Sequence, residues 1–169
     1  MMKYLAAVLV LMLVAPAWAE GPSAEDIVRQ LQGGAATRSF GGDRGIAVDN
    51  AKPDGPSSID LVINFDFNSA RLTADGAVLA ANLGRALADP RLAGNRFRIE
   101  GHTDAKGTAA YNQRLSEARA ATVRDFLAAR GIAAGRLEAA GYGFTRLLDA
   151  AHPESGVNRR VRVTNLGQP

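Results

Sequence analysis

The run GHTDAKGTAAYNQRLSEARA, residues 101–120, constrains this chain more than any other part of it. It leads from a short strand pattern, RFRIEGH at 96–102, through a loop into a long helical period, with Asp104 in the loop and Arg119 on the helix. At 100° per residue, Leu115, Val123, Phe126 and Leu127 fall on one arc of that helix, and Arg119 falls inside the arc rather than opposite it. A guanidinium does not give up its proton. One set on an apolar face therefore needs a carboxylate of the protein, a carboxylate of a ligand, or water in a pocket.

The remaining elements follow from periodicity. Ile59, Leu61, Ile63 and Phe65 alternate with Asp60, Val62, Asn64 and Asp66, which predicts a strand over 59–65. After a loop at 67–72, Thr73 is placed to cap a helix lined by Leu79, Leu83 and Leu87, and Asp89-Pro90 stops it. Phe97 and Ile99 mark a second strand, and the long helix runs from about Tyr111 to Arg130, with Gly131 at the C′ position that favours a left-handed residue. A short third strand is expected over 136–140 and a last one around Val161, Val163 and Asn165. This βαβαββ-like order predicts an α/β fold in the broad sense, an α+β sandwich with two helices packed on one face of a small mixed sheet.

Residues 1–19 read as a secretory signal: Lys3, an apolar stretch from Tyr4 to Val14, Pro16, and Ala17-Trp18-Ala19 as a small-x-small cleavage site. The stretch is short for a membrane span and breaks at Pro16, so no span is expected after cleavage. Residues 20–58 form a loosely ordered arm or linker with one short amphipathic stretch, Ser23 to Leu31, in which Ser23 and Asp26 have the spacing of a capping box. Arg38 and Phe40 are the arm's candidates for docking a partner, against the plainer reading of a tether. Residues 59–169 form the folded domain. The chain has no cysteine, which excludes disulfides, thiolate metal sites, a catalytic thiol and a lipid-modified N-terminal cysteine. Twenty basic residues against 17 acidic ones leave a surplus of three, too small for the field that a nucleic-acid partner needs.

These residues resemble the OmpA-like peptidoglycan-binding domain, the periplasmic module of outer-membrane protein A, peptidoglycan-associated lipoprotein and flagellar motor stator proteins. The resemblance runs from about Ile59 to Leu166. It rests on GHTD at 101–104, Gly107, Tyr111-Asn112, Leu115-Ser116, Arg119-Ala120, Val123, Leu127 and Gly131, together with INFDFNSA at 63–70 and NRRV at 158–161. It implies non-covalent binding of the peptide stem of peptidoglycan in the periplasm, chiefly through diaminopimelate, whose side chain ends in an ammonium and a carboxylate on one carbon. Asp104 would accept from the ammonium and Arg119 would hold the carboxylate, with helix amides near Ala109 to Tyr111 adding a positive dipole end. The match carries Asp66, Thr103, Asn112, Leu115 and Arg159 over as further pocket residues. It implies no cofactor, no metal and no catalytic residue. A periplasmic protein is expected, freely soluble in the simplest case or associated with the outer membrane or cell wall, and residues 20–58, outside the resemblance, are the candidate contact for an envelope protein.

Other readings of the same residues are on the table. Asp104 and Arg119 could form a structural ion pair. Asn112 could cap the helix, Leu115 could be core, and Arg159-Arg160 could be a solvated strand edge. His102 suits ordering a loop by hydrogen bonding better than holding zinc, since His152 is the only other histidine. Ser69 and Ser116 lack the surroundings of a serine nucleophile. A glycosidase using Glu100 and Asp104 is the enzymatic alternative, and a protein-interaction module of an envelope complex is the third class.

Overall fold

The structure is a computed structural model that describes residues 21–33 and 56–169. Residues 1–20, which include the expected signal, and most of the arm, with Arg38 and Phe40, lie outside the described residues. Three helices, α1 (Ala24–Leu31), α2 (Ala74–Leu87) and α3 (Ala109–Ala128), accompany four strands, β1 (Ser58–Leu61), β2 (Arg96–Gly101), β3 (Leu137–Gly141) and β4 (Val161–Gly167). Helix starts fall where the side chains can cap them. Ser23 and Asp26 close a capping box on α1, Thr73 accepts from the Gly76 amide on α2, and Thr108 accepts from the Tyr111 amide on α3.

The sheet is mixed, in the order β1-β4-β2-β3. β4 runs antiparallel to both β1 and β2, and β2 pairs in parallel with β3. The last strand in sequence is thus inserted between the first and second, which are parallel to each other. Ile59, Leu61, Ile99, Phe97, Val161 and Val163 point to one face and are buried, while Asp60, Arg98, Glu100, Arg162 and Thr164 alternate with them onto the other. Leu83 and Leu87 of α2 and Val123 and Leu127 of α3 complete the core from the helix side.

The expected pair of helices is joined by a third. Ile27, Val28 and Leu31 of α1 are at most 1% exposed and belong to the same core cluster. The helix that periodicity placed in the arm is therefore seated on the sheet, where three large aliphatic side chains gain roughly 1.5–3 kcal/mol each from burial. Arg91, just after α2, holds Glu25 of α1 through both carboxylate oxygens, and the Leu31 carbonyl accepts from Ser57 and Asn165.

β1 is shorter than its alternation suggests. Pairing with β4 stops at Leu61, and Val62 is 60% exposed. Beyond it the chain bonds to itself: the Asn64 carbonyl accepts from the Thr73 amide, and the Asp66 amide donates to the Arg71 carbonyl. Residues 64–73 therefore close a loop instead of extending the strand. Gly76 holds that loop down, because a Cβ there would lie 2.0 Å from the Asn64 oxygen.

α3 is set still more tightly. Gly101 and Gly141 face each other across β2 and β3, and a Cβ on either would come within 2.2 Å and 2.3 Å of α3 backbone atoms of Ser116 and Glu117. Ser116, fully buried, accepts from the Gly143 amide and donates to the Gln113 carbonyl. This contact presses the middle of α3 onto the ends of β2 and β3, and so brings Arg119 beside the loop that follows β2. Gly131, with φ 91°, ends the helix in the left-handed region, two positions beyond the C-cap residue Ala129.

Candidate functional site

Three chain segments meet above the end of the sheet: the loop after β1, the loop after β2 with the first turns of α3, and the stretch leading into β4. They enclose a cleft of about 600 Å3, within the size range of small-molecule sites. Asp66, Thr103, Asp104, Asn112, Leu115, Arg119 and Arg159 all line it. Residues spread over 94 positions of sequence are thus gathered around one space. Its charged groups are two carboxylates, Asp66 and Asp104, and three cations, Lys106, Arg119 and Arg159.

Asp104 lies at the floor. Its side chain is 10% exposed, accepts from Arg159 Nη1 at 2.7 Å and from the Lys106 amide at 3.2 Å. Arg119 donates from Nε to the Ser69 carbonyl at 3.0 Å, and its guanidinium lies 5.0 Å from the centre of the Phe65 ring. Among the described residues no carboxylate comes within ion-pair distance of Arg119. Burial pushes its pKa down, with Arg159 acting in the same sense and Asp104 opposing it.

The alternative reading, a structural ion pair between Asp104 and Arg119, does not form. Asp104 is held by Arg159, and Arg119 keeps both Nη groups without an acceptor among the described residues. The segment leading into β4 is tied to the Asp104 loop, the Ala105 amide donating to the Pro153 carbonyl at 3.0 Å, which brings Arg159 to Asp104, while the Ser69 carbonyl occupies the Nε edge of Arg119.

The other candidates sort by environment. Asp66 is held by Arg71 at 2.5 Å, on the outer side of the loop after β1. Asn112 is buried and donates to the carbonyls of Lys106 and Thr108, so it braces the loop, and the helix cap that sequence reading offered it belongs to Thr108. Leu115 is partly exposed and stays out of the core, facing the cleft instead. Thr103 is buried with its hydroxyl lacking a partner among the described residues. Periodicity and motif reading missed the aromatic wall: Phe65, Phe67 and Tyr111 line the cleft, with Phe67 fully exposed at the rim and Tyr111 donating to Asn68.

Two further departures concern neighbours of the site. Arg160 is 4% exposed, held by Asp60 Oδ1 at 2.8 Å and by carbonyls, so the Arg159-Arg160 pair is no solvated edge. Its signal was the strand alternation itself, which pairs Asp60 with Arg162 across β1 and β4. Asp60 receives both arginines; burial pushes its pKa up, and Arg162 and Arg160 together outweigh that and hold it low. The His102 side chain does not order the loop by hydrogen bonding: it is 3% exposed, both ring nitrogens lack a partner among the described residues, and burial with Arg160 and Arg162 nearby lowers its pKa to about 4. Among the described residues no group of three or more His, Cys, Asp or Glu side chains could hold a metal ion.

The chain is 35% identical over 133 residues to a peptidoglycan-associated lipoprotein of Brucella melitensis, spanning 73% of this chain and 77% of the lipoprotein. It is 39% identical over 108 residues to outer membrane porin F of Pseudomonas aeruginosa, covering 62% of this chain but only 30% of the porin. Among solved structures, the cell wall anchor of the T6SS from Pseudomonas aeruginosa superposes with a TM-score of 0.55 at 28% identity, over 67% of this chain and 82% of that one. The OmpA-like domain of FopA1 from Francisella tularensis gives a TM-score of 0.55 at 25% identity, over 66% of this chain and 72% of that one. The sequence profile of the OmpA family matches residues 64–161, which hold the whole cleft and more than half of the chain, and the chain belongs to that family.

Proposed function

We propose that this protein binds peptidoglycan non-covalently at the cell envelope, through the diaminopimelate of the stem peptide. The observation that supports this most is the composition of the cleft: seven motif residues around one space that offers Asp104 to an ammonium and the unpaired Nη groups of Arg119 to a carboxylate. A centre bearing both charges on one carbon matches that layout. Arg159, half exposed, is free to swing between Asp104 and the ligand, and the Phe65 and Tyr111 rings give the aliphatic chain of the ligand an apolar wall. Two charge-assisted contacts at about 1.5–3 kcal/mol each, set against lost ligand freedom, give modest affinity per stem. Retention on the wall then comes from rebinding to many identical stems.

The relatives named as a lipoprotein associated with peptidoglycan and as a cell wall anchor support the same reading. We read the protein as a binding module of the periplasmic side of the envelope that does not turn its ligand over. No helix among the described residues is long and apolar enough to cross a membrane. A contact with an envelope protein through residues 20–58 belongs to the same proposal, and since α1 keeps its apolar side in the core, such a contact uses the polar side of α1 or the residues beyond it.

The test is sedimentation with isolated sacculi, with free meso-diaminopimelate as competitor and wall hydrolysis followed in the same tube. Binding that competes away without release of soluble fragments is the expected result. Fragment release would favour the glycosidase, and absence of binding would turn the cleft over to a protein ligand.

A further inference from the structure

The charged residues that line the cleft do not balance. Asp66 is met by Arg71, which is no part of the lining, so a single acid, Asp104, is set against Lys106, Arg119 and Arg159. A zwitterionic centre brings one charge of each sign and leaves that excess as it was. Its ammonium takes up Asp104 and its carboxylate takes up Arg119, with Arg159 shared between them. Lys106 is then the cation for which the cleft holds no acid.

Lys106 combines a fixed backbone with a loose end. Its amide donates to Asp104 at 3.2 Å and its carbonyl accepts from buried Asn112 at 2.7 Å, which holds its Cα beside the acid offered to the ligand's ammonium. Gly107, with φ 89°, turns the chain through the left-handed region immediately after it. The Lys106 side chain is 64% exposed, and its ion-pair partner among the described residues is Glu154, at 4.0 Å. That carboxylate is 69% exposed and outside the cleft lining. An exposed pair at such a distance is weak and readily exchanged. A compact charge on a flexible four-carbon stem can also meet a carboxylate from a range of directions, so the ligand need not bring its own to one fixed point.

We propose that Lys106 is a specificity-determining residue that receives a second carboxylate of the ligand, so that the cleft selects a stem peptide carrying that charge over the same peptide with the carboxylate amidated. The inference rests on the reading of the cleft as a stem-peptide site. Two carboxylates of a stem have the required chemistry: the one on the backbone centre of diaminopimelate, and the α-carboxylate of the γ-linked glutamate before it. An amide in either place keeps the shape and removes the charge, so the discrimination is electrostatic. Glu154 meets the Lys106 ammonium in the free protein and returns to water when the ligand arrives.

The experiment is an amide-shift titration of the full 15N-labelled chain with synthetic tripeptides: L-alanyl-γ-D-glutamyl-meso-diaminopimelate with every carboxylate free, the form amidated at glutamate, and the form amidated at the backbone carboxyl of diaminopimelate. The parent protein is expected to bind the free form about threefold to fivefold more tightly than one of the amides, and which amide is disfavoured identifies the carboxylate. Lys106→Gln should bind the free form and that amide alike, with an unchanged urea midpoint. Lys106→Arg should keep the preference and Lys106→Glu should invert it. Glu154→Gln, which removes the competing acid, should tighten the free form up to about twofold and leave the disfavoured amide as it was. At about 1 M salt, where the Debye length is about 3 Å, the preference should largely vanish. Equal affinity of the parent for all three peptides, or a preference that survives in Lys106→Gln, would overturn the inference and leave the stem-peptide site in place. Absence of saturable shifts with any of them would remove that site, and this role of Lys106 with it.

Discussion

The arginines of this domain are distinguished by what remains free on each. Arg160 is spent on Asp60 and two carbonyls, Arg159 on Asp104 alone, and Arg119 on one carbonyl through Nε. Substitution should follow that ranking. Asp104→Ala is expected to abolish most sacculus binding while changing stability by less than about 1 kcal/mol, because the Arg159 side chain left behind is half exposed and hydrates. Arg119→Ala should lose binding as well, with a further small cost from the broken tie to Ser69. Full affinity for sacculi in either variant, measured beside urea midpoints, would remove the residue from the site. His102 gives a pH signature of its own. Its pKa of about 4 in the folded protein lies below the ordinary 6.5, so the unfolded chain takes up the proton first as pH falls. The contribution of His102 is complete above pH 6.5 and is lost progressively towards pH 4, on the order of 3 kcal/mol in all. His102→Gln should flatten that part of the stability profile, and parallel urea curves for the two proteins between pH 7 and 4.5 would refute the assignment.

Among the elements, α3 is positioned by absent side chains. Gly101 and Gly141 let its backbone rest on β2 and β3, and Ser116 ties it there. Gly141→Ala would drive a methyl group into Glu117, and a loss of about 1–3 kcal/mol or more is expected, together with weaker sacculus binding because Arg119 rides on the displaced helix. A thermal midpoint equal to that of the parent protein would show that the helix tolerates the shift. α1 is the complementary case, in which side chains do the positioning. Leu31→Ala should cost roughly 2–5 kcal/mol, as for any fully buried leucine, although the OmpA family match begins only at residue 64. Chemical denaturation separates this from a dispensable arm, for which the change would be close to zero.

For the molecule as a whole, the insertion of β4 between β1 and β2 governs the site. It delivers Arg159 and Arg160 to a place that the loops after β1 and β2 have already flanked. The cleft therefore exists only once the last strand has docked. Intrinsic wall binding should accordingly vanish with the same urea midpoint as the sheet signal, with no state that keeps binding after β4 has left.

Much of this was legible in residue order. The period of two in Ile59–Phe65 and Val161–Asn165, the helical periods, and the caps at Ser23 and Thr73 are local signals, set by backbone geometry and by side chains within one turn of each other. The motif residues of the cleft were legible too, since GHTD and its spacing to Arg119 belong to one loop and one helix. What residue order left open was every choice between distant partners. Whether Asp104 meets Arg119 or Arg159, whether Ile27 and Leu31 face solvent or core, and where β1 stops pairing depend on which segment arrives beside which. Sheet order decides those contacts, and it is set by burial of the whole apolar face rather than by any local preference.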